Sequence, residues 1–208
     1  EVLKLDEEAK KKGVTIIPDL GLAPGMTNIL AGYGASKLDR VNAIKIYVGG
    51  IPASPKPPLD YSVVYSLDGV FDHYTKPSLI VRDGMIRELP SLSEVENLYF
   101  PGFIGLEAFH TSGGLSTLAR TFSKLHTLEY KTIRYAGHAE RFKLLVDLGL
   151  TQKGNEVEVD NGITVDMREV MKQYLENKLS LGDQEDVVLL RVEVHGEANE
   201  ERVSFEYD

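Results

Sequence analysis

One stretch constrains this chain more than any other: Val14 to Tyr33, reading VTIIPDLGLAPGMTNILAGY. Val14, Thr15, Ile16 and Ile17 predict a short buried strand, which Pro18 ends because proline has no N–H to give to a ladder. Gly21, Pro24 and Gly25 predict a tight loop. Met26, Ile29, Leu30 and Tyr33 then recur at the three-and-four spacing of one helix face. Thr27 or Asn28 can cap that helix, and its first N–H groups would suit an anion such as a carboxylate. A glycine–proline turn that only reverses the chain would leave the same trace.

The stretch before it, Glu1 to Lys12, reads as the tail of a helix with Gly13 as C-cap. Helix, glycine, strand and glycine loop together form a unit of a parallel sheet, whose preceding part is expected to be missing. Residues 26–208 follow that unit as one longer stretch. In it Val41–Gly49 alternates as a strand with one wet face, followed by a loop with four prolines between Gly50 and Leu59. Tyr61–Leu67 reads as a strand, and Leu79–Leu89 as a hairpin turned by Asp83-Gly84. Strands are expected at Glu96–Phe100, Ile104–Phe109 and Leu128–Tyr135. Helices are expected at Leu115–Leu125, Ala139–Leu148 and Met167–Lys178, the last with Val170, Met171, Tyr174 and Leu175 inside and Thr164 or Asp166 as cap. Val187–His195 and Arg202–Tyr207 form a closing hairpin. The expected class is α+β: a mixed, mostly antiparallel sheet with helices on one face.

Composition narrows the chemistry. A net charge of −9 without basic clusters speaks against nucleic acid or anionic membrane as partner, and no apolar run reaches spanning length. The chain has no cysteine, which removes disulfides and thiolate sites and suits a cytoplasmic protein. None of the five histidines forms a His-x-x-x-His pair, so no metal site is expected. Neither a G-x-G-x-x-G loop, a P-loop nor a nucleophile elbow occurs.

Two polar clusters remain. In Phe109-His110-Thr111-Ser112-Gly113-Gly114, hydroxyls and N–H groups could hold a carboxylate and His110 could move a proton; alternatively Thr111 and Ser112 only cap a helix. In Thr132-Ile133-Arg134-Tyr135-Ala136-Gly137-His138, Arg134 offers a forked grip on carboxylate while Tyr135 and His138 flank a bend; alternatively these are a surface arginine and a packed tyrosine. Asp72-His73 reads as a solvated turn after Gly69. Asp19 follows the first strand at its carboxyl end, where sheet proteins place ligands.

The blocks PDLGLAPGMTNILAGYG, IKIYVGGIP, LEAFHTSGGLSTLARTF and KTIRYAGHAERFKLLVDLGL, in that order between residues 14 and 150, resemble the saccharopine dehydrogenase-like family, nearest to its lysine 6-dehydrogenase branch. Saccharopine reductases of the family carry Cys-Gly-Leu-Asp-Pro-Gly in the loop. Here Leu20 and Ala23 replace the cysteine and aspartate, which favours a simple amino-acid dehydrogenase. The resemblance implies that residues 1–25 are the closing helix and strand of a Rossmann domain and that residues 26–208 are a substrate, catalytic and dimerisation domain, similar to the C-terminal domain of glyceraldehyde-3-phosphate dehydrogenase, with the dinucleotide-binding loop for NAD or NADP outside this chain. It implies oxidation of an amine of a small amino acid, lysine in that branch, by hydride transfer and imine hydrolysis. On it, Gly21, Leu22, Ala23, Pro24 and Gly25 would line the nicotinamide crevice. Thr111, Ser112 and Arg134 would hold the carboxylate, and Asp19, His110, Tyr135 and His138 would be candidates for base or ammonium binding. A saccharopine- or carboxynorspermidine-forming enzyme is the alternative within the family. A non-catalytic binding or dimerisation module is the alternative outside it. A homodimer through the uncovered sheet face is expected.

Overall fold

The structure, a computed structural model, describes residues 2–208. A 3-10 turn (Val2–Leu5) runs into α1 (Asp6–Lys12), closed by Gly13 in the left-handed conformation. Glu1 lies outside the described residues. The strand expected at Val14–Ile17 does not form: no partner among the described residues supplies a ladder, and Ile17 is 67% exposed. α2 (Met26–Ala35) follows where its period places it but is turned over. Thr27, Ala31 and Gly34 are buried, whereas Met26, Ile29 and Tyr33 face outward. The small residues win the inner face because α2 lies close on the sheet: a Cβ on Gly34 would come within 2.8 Å of Val194.

The sheet has eight strands: β1 (Arg40–Pro52), β2 (Ser78–Arg82), β3 (Met85–Leu89), β4 (Glu96–Phe100), β5 (Phe103–His110), β6 (Thr127–Tyr135), β9 (Asp186–Ala198) and β10 (Glu201–Tyr207). The order β10-β9-β1-β6-β2-β3 holds one parallel pair, β1 with β6; every other pair is antiparallel. β6 shares its second edge between β2 at Thr127–Leu128 and β5 at Lys131–Tyr135. The expected fold class is the one observed. β1 is longer than expected and central, so Tyr47, assigned to a wet face, is buried under Phe100 and Leu106. Asp83 and Gly84, both at positive φ, make the β2–β3 turn.

The helices lie on one side. α2 and α4 (Leu118–Thr121) pack on Ile44, Ile46, Leu128 and Val194. α3 (Leu67–Thr75), α5 (His138–Asp147) and α6 (Met167–Lys178) pack around Phe71, Phe109 and Phe142. Tyr61–Leu67 is not a strand: it has one bridge, Val63 to Ser180, and α3 begins at its end, capped by Ser66. Asp72 and His73 therefore sit on a helix rather than in a solvated turn. Only four residues of the helix expected at Leu115–Leu125 are α-helical. α6 has the expected bounds and is capped by Asp166, but Val170 and Tyr174 point out while Arg168 and Leu175 are buried. The small hairpin of β7 (Glu156–Val159) and β8 (Ile163–Asp166) had no sequence signal strong enough to read.

Candidate functional site

The parallel pairing of β1 with β6 puts two glycines, Gly49 and Gly50, beside the end of β6. A Cβ on Gly49 would lie 2.3 Å from the Ile133 carbonyl oxygen, so only glycine allows this approach. Alternation along β6 sends Tyr130, Thr132 and Arg134 to the helix-covered side. Thr111 and Ser112 arrive from the end of β5, and α3 brings His73. Between them lies an open cavity of about 350 Å³. Leu22 and Ala23 form an apolar wall, and Asp186, at the start of β9, stands as its acidic lining residue.

Arg134 dominates the cavity. Its side chain is only 3% exposed, yet its hydrogen bonds go to main-chain carbonyls: Nη1 donates to Ile133 O (2.8 Å) and Gly50 O (3.4 Å), and Nε has no partner. The guanidinium stacks over the Tyr61 ring at 5.0 Å. Among the described residues no carboxylate forms an ion pair with it. The tyrosine hydroxyls nearby are neutral, since burial pushes Tyr61 up to about 12 and raises Tyr65 and Tyr74 as well. Arginine keeps its charge at any physiological pH, so this is a buried cation without an anion. Thr111 and Thr132 lie beside it with hydroxyls 2.7 Å apart.

Ser112 also lines the cavity, with its N–H donated to His73 O (3.1 Å) and its hydroxyl donated to Asp72 O (3.4 Å). The helix start at Gly25 does not offer the anion site that its sequence suggested. Gly25 N–H goes to Asn28 Oδ1 (3.1 Å), Met26 N–H to Gly21 O (2.9 Å) and Thr27 N–H to Leu22 O (3.1 Å), so the first turn is satisfied internally. Of the loop Gly21–Gly25, Leu22 and Ala23 reach the cavity; Gly21, Pro24 and Gly25 fold the turn itself. The start of α5 is closed in the same way, by the Glu107 carboxylate accepting from Gly137 and Ala139 N–H, each at 2.7 Å.

Four residues named from sequence as base or ammonium-binding candidates do not line the cavity. His110 points to the helix-free face, because alternation along β5 turns it away from Phe109. Its Nε2 lies 3.2 Å from Glu94 Oε2 and its Nδ1 3.3 Å from Tyr130 O. Burial pushes it down, Lys131 adds to that, and Glu94 opposes. Tyr135 donates to Pro52 O (3.0 Å), also on the helix-free face. Asp19 is held by Ser116 in an exposed turn. His138 is fully buried one layer behind the cavity, caged by Tyr61, Tyr74, Phe109 and Phe142, with Nε2 3.0 Å from the Tyr74 hydroxyl. Burial, and then Arg134, hold it well below the usual histidine range. Sequence reasoning set His73 aside as part of a solvated turn and missed Asp186; a histidine inside an amphipathic helix and an aspartate before a strand carry no motif.

Among the described residues, one cluster has the residue types for a metal: Glu94, His110 and Glu129, with donor atoms within 4.8 Å of one another. Arg82 already grips Glu94 through both Nη atoms (3.0 and 2.8 Å) and Lys45 faces Glu129 at 3.5 Å, so the carboxylates have their cations.

Comparison with known proteins bears on the whole arrangement. The family described as Saccharopine dehydrogenase C-terminal domain matches residues 21–207. The chain belongs to that family. Among relatives of this family member, the mitochondrial alpha-aminoadipic semialdehyde synthase of Bos taurus is 30% identical over 163 residues, 72% of this chain and 17% of that protein. The saccharopine dehydrogenase [NADP(+), L-glutamate-forming] of Saccharomyces cerevisiae is 28% identical over 186 residues, 83% of this chain and 40% of that protein. The family member thus spans well under half the length of these relatives. A solved apo saccharopine dehydrogenase (L-Glu forming) from Saccharomyces cerevisiae shares the fold, with a TM-score of 0.75 at 18% identity over 98% of this chain and 61% of that one. The relatives are oxidoreductases. No helix among the described residues is long and apolar enough to cross a membrane.

Proposed function

We propose that this chain is the substrate-side domain of an NAD(P)-dependent amino-acid dehydrogenase, and that Arg134 binds the α-carboxylate of the substrate. One observation carries the reading: a buried arginine without an acidic partner lines an open cavity. A carboxylate there would satisfy the orphaned Nε–H and accept from whichever hydroxyl of the Thr111–Thr132 pair is not donating to the other. Asp186, also in the cavity lining, offers an anion for a substrate ammonium, so one cavity holds a charge for each ionic group of an amino acid.

The apolar wall of Leu22 and Ala23 fits a flat ring and has no phosphate-binding character. The nicotinamide would lie on that wall, its dinucleotide held by protein beyond this chain. NAD or NADP, when bound, supplies the hydride acceptor. This chain's residues hold the carboxylate, place the amine-bearing carbon against Leu22 and Ala23, and exclude water from the arginine.

The substrate proposed is L-lysine, oxidised at its ε-amine to 2-aminoadipate 6-semialdehyde and ammonia. Leu20 and Ala23 in the loop support it over saccharopine or carboxynorspermidine, which remain the second reading because the named relatives are saccharopine enzymes. The test is a screen of the intact protein with lysine, saccharopine and decarboxylated amines, each with NAD and NADP. Turnover of an amine that lacks a carboxylate as readily as of its amino acid would refute the role of Arg134. A homodimer through the helix-free face is proposed alongside; light scattering at micromolar concentration should give twice the chain mass.

A further inference from the structure

We infer that His73 is the proton acceptor of this site. The inference rests on the amine-oxidation reading above and adds to it the identity of the base.

His73 sits on α3 with its ring at the cavity wall. Its Nδ1 lies 2.7 Å from the main-chain oxygen of Ser112. A carbonyl oxygen only accepts, so Nδ1 carries the hydrogen and donates it. That bond assigns the tautomer of the neutral ring: Nε2 is bare and is the atom with a lone pair to offer. Gly113 leaves room for that same edge of the ring, since a Cβ on it would come within 3.0 Å of Cε1 and 3.3 Å of Nδ1. Gly113 has φ +94°, a conformation that glycine adopts without strain, and the turn it makes is what lets the Ser112 carbonyl reach α3. Ser112 N–H closes the arrangement by donating to His73 O (3.1 Å). The helix and the end of β5 are thus tied by a reciprocal pair of bonds whose result is one oriented imidazole.

The other histidines offer nothing comparable. His110 is on the far face, His138 is sealed in its aromatic cage, and His126 and His195 are engaged with Asp83 and Glu193 away from the cavity. Around His73, the charged and titratable groups are Arg134, Asp186, Tyr65 and Tyr130 across the cavity and Asp72 beside it on α3. Asp72 is taken up by Arg168 (2.7 Å), Lys76 (2.6 Å) and Lys153 (3.1 Å) and does not reach the imidazole.

The step is a proton transfer. The substrate enters as an ammonium, whose nitrogen has no lone pair. Nε2 of neutral His73 takes one N–H proton, the N–H bonding pair stays on nitrogen as its lone pair, and the ring becomes an imidazolium hydrogen-bonded to Ser112 O. The free amine can then support loss of hydride from its carbon. The same transfer serves a primary amine such as lysine and a secondary one such as saccharopine.

The test is His73→Asn in the intact protein. The asparagine Nδ2 keeps the hydrogen bond to Ser112 O and offers no base. Expected are a fall in kcat of at least about 100-fold, the usual scale of general base catalysis, and loss of the acidic limb of the kcat–pH profile. Calorimetric affinity for the amino acid should stay within about threefold. A kcat within about threefold of the parent, with the acidic limb kept, overturns the role of His73. If the parent's amino-acid affinity is also lost in Arg134→Met, the carboxylate reading stands without it. If the parent binds no amino acid, or Arg134→Met binds it equally well, the underlying reading fails and this inference with it. A measurement free of any variant is the 15N spectrum of labelled histidine, in which a neutral His73 protonated on Nε2 would equally refute the assignment.

Discussion

Two buried arginines in this molecule have opposite surroundings. Arg168, on α6, is 2% exposed and fully engaged: Nε and Nη2 donate to Asp68 Oδ1 (3.1 and 2.9 Å), Nη2 to Asp72 Oδ1 (2.7 Å), and Nη1 to Thr151 O (2.8 Å). Arg134, on β6, is 3% exposed and has carbonyls, ring faces and an open cavity. Taking a guanidinium out of water costs several kcal/mol, and a fold keeps it only where anions compensate or where something else requires it. Arg168 is compensated and ties α3 to α6. Arg134 is not, and the proposed carboxylate role rests on that difference.

The comparison can be broken by giving both positions the same change. Arg168→Met unties α3 from α6 and strands the Thr151 carbonyl, while Lys172 still faces Asp68 and Lys76 and Lys153 still face Asp72; about 1–3 kcal/mol of stability should go, read by urea unfolding. Arg134→Met removes a charge that has no partner to strand, so unfolding should be unchanged or slightly improved. Its cost should appear in ligand binding, where losing one side of a buried charge pair is worth about 2–5 kcal/mol, at least about 30-fold in calorimetric affinity. Stability lost at Arg134 and kept at Arg168 would reverse the reading.

A smaller effect sharpens it. His138 is held well below its ordinary value by burial and then by Arg134. The unfolded chain binds a proton at this residue below about pH 6.5 and the native state does not, so stability should fall with pH in that range by up to about 1.4 kcal/mol per unit. His138→Gln should flatten that slope in melting curves, and a carboxylate bound at Arg134 should lessen it. Asp68 and Asp72 are lowered as well, Asp68 chiefly by Arg168 and Asp72 chiefly by Lys76. Their contribution is present above about pH 4 and lost as pH falls through their folded values. Arg168→Met should remove part of that acid sensitivity; Arg134→Met should not. The smallest expected effect is Thr111→Val, which removes one hydroxyl from the cavity and should weaken ligand binding by about 0.5–1.5 kcal/mol.

The strands and long helices were legible because their period or their turns are local. Asp83-Gly84 bends a hairpin, Gly149 ends α5 and Asp166 starts α6 within a few residues of themselves. Inner faces were not. In α2 the large residues looked like the core, but close approach to β9 selects Ala31 and Gly34. In α6 the buried residue is a charged one, Arg168, which only its partners on α3 explain. Val14–Ile17 has the composition of a strand and pairs with no neighbour among the described residues.

For the site, the sequence alone pointed to the family through four ordered blocks. Arg134, Thr111 and Ser112 share one cavity because residue type and strand alternation, a local rule, put them there; that they hold a carboxylate is the proposal made above. Tertiary structure alone decided which histidine meets the cavity. Alternation along β5 turns His110 to the far face, aromatic packing closes over His138, and α3 delivers His73 from 39 residues away through a bond to the Ser112 carbonyl. A proton acceptor is defined by where its lone pair points, and that direction is set by packing between elements distant in the chain.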